Sequence, residues 1–214
     1  MKKLKKLKDE WRRQMKYQIK TFLEKVDWDQ IDKIEITNYP WGEAYRPKTF
    51  AWLYRIEGEG FYLKMRCEEK EPKAVYTEAN DPVYKDSCME FFANFYPEDE
   101  QAGYMNFEMN SNGALLCEYG HPGNRFYLKD RGFTHLQPSV IKGEDFWEVE
   151  LMIPDTLIQA VYGYDHLTTG GRIKGNFYKC GDETHTAHYG CWNLIENEYP
   201  AFHKPEYFGE LILK

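Results

Sequence analysis

The sequence predicts an all-β protein: an antiparallel, jelly-roll-like β-sandwich with a short N-terminal helical extension. Three observations support this fold class. Short segments of alternating apolar and polar residues recur, the loops between them are rich in Pro, Gly, Asp and Asn, and no helical crossover separates the segments. Aromatic residues make up 17% of the 214 residues, which is typical of sheet proteins. A chain of this length can bury one large core.

The N-terminal segment has a helical period instead. Its apolar residues stand three or four positions apart with basic residues between them: Leu4, Leu7, Trp11, Met15, Ile19, Phe22 and Val26. The first 26 residues hold ten Lys or Arg and three acids, whereas the whole chain has a net charge of −7. We predict a basic amphipathic helical extension over residues 1–27 and one sandwich domain over residues 28–214. The helix packs on the acidic body or docks on an anionic membrane, and Gln18, which interrupts its apolar face, favours packing.

The strands follow in order, each bounded by turn residues. The first two form a hairpin, because a Gly-containing turn at residues 57–60 separates two aromatic-rich runs. The predicted strands span residues 50–56, 61–67, 87–95, 104–109, 114–119, 146–153, 171–180 and 208–213.

Alternation assigns a polar face to two of these strands. In the strand from residue 104, Met105, Phe107 and Met109 face the core, so that Asn106 and Glu108 lie on the opposite face. The polar set on this face also includes Glu90, Asn94 and Tyr104. Acids and amides beside aromatic rings suit a sugar, whose hydroxyls need paired donors and acceptors. An ordinary solvated face is the alternative.

Composition excludes some partners and compartments. The acidic body argues against nucleic acid as the main partner, and no segment is long and apolar enough to span a bilayer. The basic start lacks the apolar stretch of a signal peptide, and the five cysteines are odd in number and scattered. We therefore expect a reduced, cytoplasmic chain. The sequence does not indicate an oligomeric state.

A Cys/His cluster near the C-terminus has the spacing Cys-x4-His-x2-His-x2-Cys. Its candidate zinc ligands are Cys180, His185, His188 and Cys191. The paired Cys-x2-Cys knuckles of common zinc modules are absent from the sequence, so loop histidines and buried thiols are the favoured interpretation.

Paired carboxylates suggest a second class of function. Glu148 and Glu150 share the outer face of one strand, and glycoside hydrolysis needs two carboxyl groups about 5 to 9 Å apart. Any alternating acidic strand meets that spacing, however, and the sequence has no nucleophile elbow, phosphate-binding loop or His-Glu-x-x-His helix. The sequence therefore favours a protein that is not an enzyme.

Several segments, taken in order, resemble carbohydrate-binding module family 9, and in particular its family-9-like proteins. The matching segments are residues 86–92, 104–113, 146–154, 175–182 and 203–211. The resemblance implies a β-sandwich that binds sugars without cleaving them, as modules that accompany polysaccharide-degrading enzymes do. It also implies two tryptophans that clamp a sugar, and calcium ions that stabilise the loops. It implies no other cofactor.

The family's site residues carry over position by position. Glu90 matches a sugar-binding acid, and Asn106 and Glu108 match polar sugar contacts. Phe202 and Tyr84 (or its neighbour Val83) fall where the family has its two clamp tryptophans, and no Arg stands at the matching sheet position. Weaker candidates at the rim are Arg172, Asn176 and His203.

Three hypotheses follow. The first is non-catalytic binding of a mono- or oligosaccharide, such as one derived from a plant polysaccharide, with Tyr84 and Phe202 stacking on the ring. The second is a glycoside hydrolase-associated protein or weakly catalytic glycosidase that uses Glu148 or Glu150 with Glu90. The third is a structural or interaction protein whose sugar site has degenerated.

Overall fold

Two packed β-sheets form the protein. A computed structural model of the chain describes residues 14–42, 44–133, 135–164 and 171–214. The described residues form fourteen strands in two sheets and one α-helix, so the predicted β-sandwich is confirmed. Among these residues, no helix has the length and apolar character that crossing a membrane would require.

The larger sheet has eight strands among the described residues. They are β1 (Lys16–Ile19), β6 (Cys88–Asn94), β7 (Tyr104–Asn110), β8 (Leu115–His121), β9 (Asn124–Tyr127), β12 (Arg172–Gly181), β13 (His188–Cys191) and β14 (Gly209–Leu213). Their order is β1-β14-β12-β6-β7-β8-β9, and β13 also pairs with β12. All pairs are antiparallel except β1 with β14.

The smaller sheet has six strands among the described residues. They are β2 (Thr21–Phe22), β3 (Ile34–Ile36), β4 (Thr49–Ile56), β5 (Gly60–Cys67), β10 (Ser139–Lys142) and β11 (Trp147–Pro154). Their order is β10-β11-β5-β4-β2, and β3 also pairs with β4. The eight predicted strands correspond to β4 to β8, β11, β12 and β14, and the short strands β1, β2, β3, β9, β10 and β13 are not among them.

The core between the sheets has the predicted faces. Met105, Phe107 and Met109 of β7 lie in it with Trp147 and Val149 of β11. Facing side chains from the two sheets interdigitate there, as in other aligned sandwiches. The opposite faces of β7 and β11 therefore lie on opposite outer sides of the protein.

The predicted N-terminal helix is wrong for residues 16–22, which form β1 and β2. Tyr17 and Ile19 are buried and alternate with exposed neighbours, and the Tyr17 hydroxyl donates to the carbonyls of Asp32 (2.8 Å) and Leu53 (3.1 Å). Met15, Ile19 and Phe22 fit a helical period as well, but pairing with the edges of both sheets satisfies the backbone and overrides it. Residues 1–13, which hold the rest of the predicted helix, lie outside the described residues.

A short helix, α1 (Asp155–Tyr162), follows β11 and was not predicted. It ends at Gly163, whose φ of 74° is the left-handed conformation that glycine adopts at little cost. Its buried Asp155 forms an ion pair with the buried Arg55 of β4. The helix therefore closes one end of the sandwich by a charge pair as well as by apolar packing.

A buried ion pair connects the two sheets. Lys179 of β12 is fully buried, and its Nζ lies 3.6 Å from Glu69 Oε2, in the segment after β5. Lys179 also contacts Ser87 Oγ (2.9 Å) and His188 Nε2 (2.8 Å), while Glu69 accepts from Ser87 Oγ and from Trp147 Nε1 (3.1 Å). Burial raises the pKa of Glu69, but Lys179 and these donors outweigh it, so the pKa lies below its usual value.

We expect Lys179→Met to destabilise the protein by about 3–5 kcal/mol, because it leaves the Glu69 carboxylate buried without its cation. Urea unfolding of the single variants and of Lys179→Met/Glu69→Gln measures the coupling. The double variant should recover part of the loss, and strictly additive losses would contradict the coupling.

Lys48→Met is the matched control. Lys48 pairs with Glu68, one residue before Glu69, at 3.5 Å, but both side chains are largely exposed. Its loss should cost less than about 1 kcal/mol.

Candidate functional site

A cleft of about 430 Å³ opens on the outer face of the larger sheet. Its floor comes from β6, β7, β8, β9 and β12, and its walls come from the segments around Tyr84, Asp182 and Phe202. The lining residues are Tyr84, Glu90, Phe92, Glu108, Leu116, Glu118, Tyr127, Cys180, Asp182, Tyr189, Pro200, Ala201, Phe202 and His203. The structure thus brings five predicted site residues into one cleft: Tyr84, Glu90, Glu108, Phe202 and His203.

The polar face predicted for β6 and β7 exists, but it is not an open sheet surface. Every residue of β7 is buried, and the segments before β6 and after β13 cover this face outside the cleft. Polar groups on the floor are therefore withdrawn from bulk water. In this less polar environment hydrogen bonds are stronger than in water, and polar groups without a partner are costly.

Two glutamates face each other on the floor. Glu90 of β6 stands directly opposite Glu108 of β7. Burial raises the pKa of Glu90 well above its usual range, and Cys180 and Glu108 raise it further. Burial also raises the pKa of Glu108 to about 8, against the lowering effects of a hydrogen bond from Asn106 and of the Arg125 guanidinium. Glu108 is therefore mainly protonated at neutral pH, and burial favours the protonated form of Glu90 as well. A protonated carboxyl group can donate as well as accept a hydrogen bond.

A polar chain beside the floor orients Glu108. Asn106 Nδ2 donates to Glu108 Oε1 (2.9 Å), while Asn106 Oδ1 accepts from Arg125 Nη2. Arg125 Nε in turn donates to Glu118 Oε2 (3.2 Å), and its guanidinium lies 4.1 Å from the centre of the Tyr104 ring. Asn106 is fully buried and does not line the cleft, so it positions Glu108.

Arg125, which does not line the cleft, is the main residue of this polar chain that the sequence did not identify. The family pattern has an arginine on the sheet, and the sequence shows none at the matching position; here β9 supplies one from the neighbouring hairpin. Gly123, with a φ of 76°, lies in the turn between β8 and β9, and this Pro-Gly turn is the signal that could have revealed the hairpin.

Phe202 is held in one orientation. Its ring stacks on Tyr178 with a centroid distance of 4.1 Å and an interplanar angle of 9°, and its carbonyl accepts from the Tyr178 hydroxyl (3.2 Å). The Tyr189 ring packs against Phe202 in an edge-to-face arrangement, with a centroid distance of 6.3 Å. An aromatic surface fixed by its neighbours loses little entropy when a ligand packs on it.

Tyr84 and His203 complete the walls. The Tyr84 backbone carbonyl accepts from Asp182 N (3.1 Å), which joins the turn before β6 to the β12–β13 hairpin. His203 Nδ1 lies 2.8 Å from the Tyr104 hydroxyl, and burial, followed by Arg125, lowers its pKa to about 4. The imidazole is therefore neutral and available for hydrogen bonding.

Two predicted rim residues lie outside the cleft. Asn176 is buried, donates to Asn193 O (2.9 Å) and accepts from Asn193 N (2.8 Å), so it fastens the segment after β13 to β12. Arg172 begins β12, eight residues before Cys180, which is about 26 Å along an extended strand.

The four candidate zinc ligands do not converge. His185 is exposed, and His188 uses both ring nitrogens, towards Lys179 Nζ (2.8 Å) and Thr186 O (2.9 Å). Cys191 lies in a separate apolar cluster from Cys180, because it is paired with Tyr178 across the hairpin.

One carboxylate near the cleft fits the calcium that the resemblance implies. Asp86 Oδ2 accepts from the backbone N–H groups of Val75 (2.8 Å) and Tyr76 (3.0 Å) and from Asn110 Nδ2 (2.9 Å), but Oδ1 is buried and has no hydrogen-bond partner among the described residues. The Ser111 hydroxyl is also buried and has no hydrogen-bond partner among the described residues. Orphaned oxygens of this kind suit a hard cation.

Comparisons with known proteins agree with this geometry. The model of carbohydrate-binding family 9 matches residues 17–213. A crystal structure of a candidate carbohydrate-binding protein from Bacteroides uniformis ATCC 8492 is 26% identical and has a TM-score of 0.78, with 94% of this chain and 100% of that chain covered. A family 9 module from Caldicellulosiruptor kristjanssonii, solved in complex with glucose, is 14% identical with a TM-score of 0.65 and shares the fold over 94% of this chain and 96% of its own. None of the curated proteins matches this chain.

We expect stability to fall as the pH rises from about 6.5 to 8, partly because Glu108 loses its proton. The folded-state pKa of Glu108 (about 8) lies above its ordinary value of 4.5, so its contribution is complete at low pH and is lost as the pH rises through 8. Below pH 6.5 the desolvated His188 and His203, each with a pKa of about 4, act in the opposite direction.

Glu108→Gln isolates this effect. Its free energy of unfolding should fall less steeply over the same range, by up to about 1.4 kcal/mol per pH unit for one proton. Urea unfolding at several pH values measures both slopes, and parallel curves for the two proteins would rule out the proposed protonation.

Proposed function

Because this chain belongs to carbohydrate-binding family 9, we propose that the cleft binds a mono- or oligosaccharide without cleaving it. The observation that carries the proposal is the combination of a floor of buried polar side chains with aromatic walls. Glu90 and Glu108, whose pKa values are raised by burial, lie on the floor, while Phe202 and Tyr84 stand at the walls.

The floor suits the hydroxyl groups of a sugar. A hydroxyl donates one hydrogen bond and accepts others, and a protonated carboxyl offers both roles within about 3 Å. Asn106 donates a hydrogen bond to Glu108 and fixes its carboxyl group, so the positions of the polar groups on the floor are set before the ligand binds. Preorganised groups of this kind reduce the entropy lost on binding.

The walls suit the apolar face of a pyranose. Phe202 is fixed against Tyr178, and Tyr84 is partly exposed at the mouth of the cleft. Phenylalanine and tyrosine present less surface than the tryptophans of the family's clamp. We therefore propose weaker stacking, with the polar floor providing a larger share of the affinity.

Two observations support binding over hydrolysis. Family 9 modules are generally non-catalytic. Moreover, Glu148 and Glu150 lie on the outer face of the other sheet, where Glu148 pairs with Arg66 (2.9 Å) and Glu150 accepts from Trp28 Nε1 (2.8 Å). The core separates both from Glu90, so the proposed pair of catalytic carboxylates does not form across a common cleft.

Phe202→Ala tests the role of the aromatic wall. It should weaken binding of glucose or cello-oligosaccharides by about 10- to 100-fold, because burying an aromatic side chain contributes about 1.5–3 kcal/mol. Isothermal titration calorimetry measures the dissociation constants.

Tyr199→Ala is the matched control, since Tyr199 lies in the same segment, is 68% exposed and does not line the cleft. It should bind as the wild type does. If folded wild-type protein binds no member of a glycan array, the proposed function is wrong.

We also propose that calcium binds at Asp86 and orders the segment carrying Tyr84. Adding Ca²⁺ to chelator-treated protein should raise its melting temperature, since a ligand at 100 times its dissociation constant stabilises by about 2.7 kcal/mol. Asp86→Asn should abolish the shift. The half-buried Asp81, which accepts from Glu78 N (2.9 Å) in the same segment, provides the control Asp81→Asn. An equal shift in Asp86→Asn would place the ion elsewhere.

A further inference from the structure

The strand register brings two cysteines and a glutamate together at one edge of the cleft floor. Cys88 of β6 stands opposite Cys180 of β12, and Glu90 follows two residues later on the same face of β6. Their ligand atoms, two sulfurs and one carboxylate oxygen, all lie within 4.8 Å of one another. Cys180 Sγ and Glu90 Oε1 are 2.9 Å apart. We call these residues the cysteine–glutamate triad.

We propose that the cysteine–glutamate triad binds a thiophilic divalent cation of the zinc type, with the fourth coordination position directed at the cleft. Tetrahedral zinc with bonds of about 2.3 Å to sulfur and 2.1 Å to oxygen separates its ligands by roughly 3.6–3.8 Å. The Cys180 Sγ–Glu90 Oε1 distance of 2.9 Å is shorter than these values, and no pair of ligand atoms is more than 4.8 Å apart. Small side-chain rotations can therefore form the site while the paired backbones of β6 and β12 stay in place.

The surroundings of the triad are buried and apolar. All three side chains are almost completely inaccessible to solvent. A divalent cation releases two thiol protons and the carboxyl proton to solvent, and its two positive charges then balance two of the three negative charges of the ligands. Val83, Ala114 and Leu116 form an apolar wall around the two sulfurs.

The position of the triad relates it to the sugar site. Glu90 and Cys180 line the cleft, whereas Cys88 is buried behind them. Three protein ligands with one position open to solvent is the arrangement in which zinc accepts a water molecule or an oxygen atom of a ligand. The site differs from the one that the sequence spacing suggested, because it shares only Cys180 with that set.

Cobalt titration tests the proposal. Reduced, chelator-treated full-length protein is titrated with Co²⁺, which reports thiolate ligation by a charge-transfer band and tetrahedral geometry by intense visible bands. We expect one equivalent per chain, displaced by Zn²⁺. Cys88→Ser and Cys180→Ser should each weaken binding by more than about 100-fold, beyond the loss typical of outer-sphere changes.

Cys191→Ser and Cys117→Ser are the matched controls, since both thiols are buried in the same sheet outside the triad. They should bind Co²⁺ as the wild type does. Absence of the charge-transfer band, or its survival in Cys88→Ser and Cys180→Ser, would overturn the proposal. A Cys88–Cys180 disulfide that persists under reducing conditions, detected by peptide mapping, would overturn it as well.

Metal binding by the cysteine–glutamate triad can be tested independently of sugar binding. Phe202→Ala should keep the cobalt spectrum while losing affinity for sugar. In the opposite direction, Cys88→Ser should keep sugar binding in the presence of a chelator, because Cys88 does not line the cleft.

Discussion

A lysine buried between two apolar sheets requires a compensating charge, and Lys179 and Glu69 meet this requirement for each other. The ion pair also determines which side chains of β12 face the cleft. Neighbouring residues of a strand face opposite sides, so the inward position of Lys179 directs Tyr178 and Cys180 outward into the cleft wall and floor. A slip of one residue would expose the ammonium and remove both from the site. The ion pair thus specifies the register of β12.

The same network extends to the hairpin that forms a wall of the cleft. Lys179 contacts His188 at the start of β13, and its partner Glu69 accepts from Ser87, just before β6. The segment that carries Tyr84 therefore ends at this buried cluster, and the strand that carries Tyr189 begins at it. Polar groups are costly to bury without partners, so this cluster specifies one arrangement of strands that apolar packing alone would leave less defined.

Alternation predicted the faces of β6, β7 and β11 because each of these strands has one face in a common core, where side-chain period and burial coincide. The same reasoning placed Glu90 and Glu108 together. It did not predict how deeply they are buried, since the segments that cover this face have no periodic signal. Residues 15–22 show a second limit: Met15, Ile19 and Phe22 fit a helical period, Tyr17 and Ile19 fit a strand, and pairing with the sheet edges decides between them.

Contacts between distant parts of the chain were the least predictable. Arg125 reaches Asn106 across the intervening strand β8, and Cys88 meets Cys180 by register alone. The spacing of Cys180, His185, His188 and Cys191 is compact in sequence, yet the hairpin directs these side chains to different surroundings. Closeness along a chain predicts convergence in loops, whereas in sheets the partner of a residue is determined by the neighbouring strand.

The floor and the walls of the cleft therefore differ in how well they tolerate amino-acid substitutions. Its floor consists of paired strands, in which Glu108 is held by Asn106 and any change disturbs a buried network. Its aromatic walls stand on irregular segments, where Tyr84 and Phe202 can be exchanged for larger or smaller rings at little cost to the sheets. A family that keeps such a floor and varies its walls retains the recognition of hydroxyl groups while changing the size and shape of the sugar it accepts. The family resemblance assigns Tyr84 and Phe202 to the clamp positions, which lie in this variable part, so we propose a changed ligand preference with the polar recognition retained.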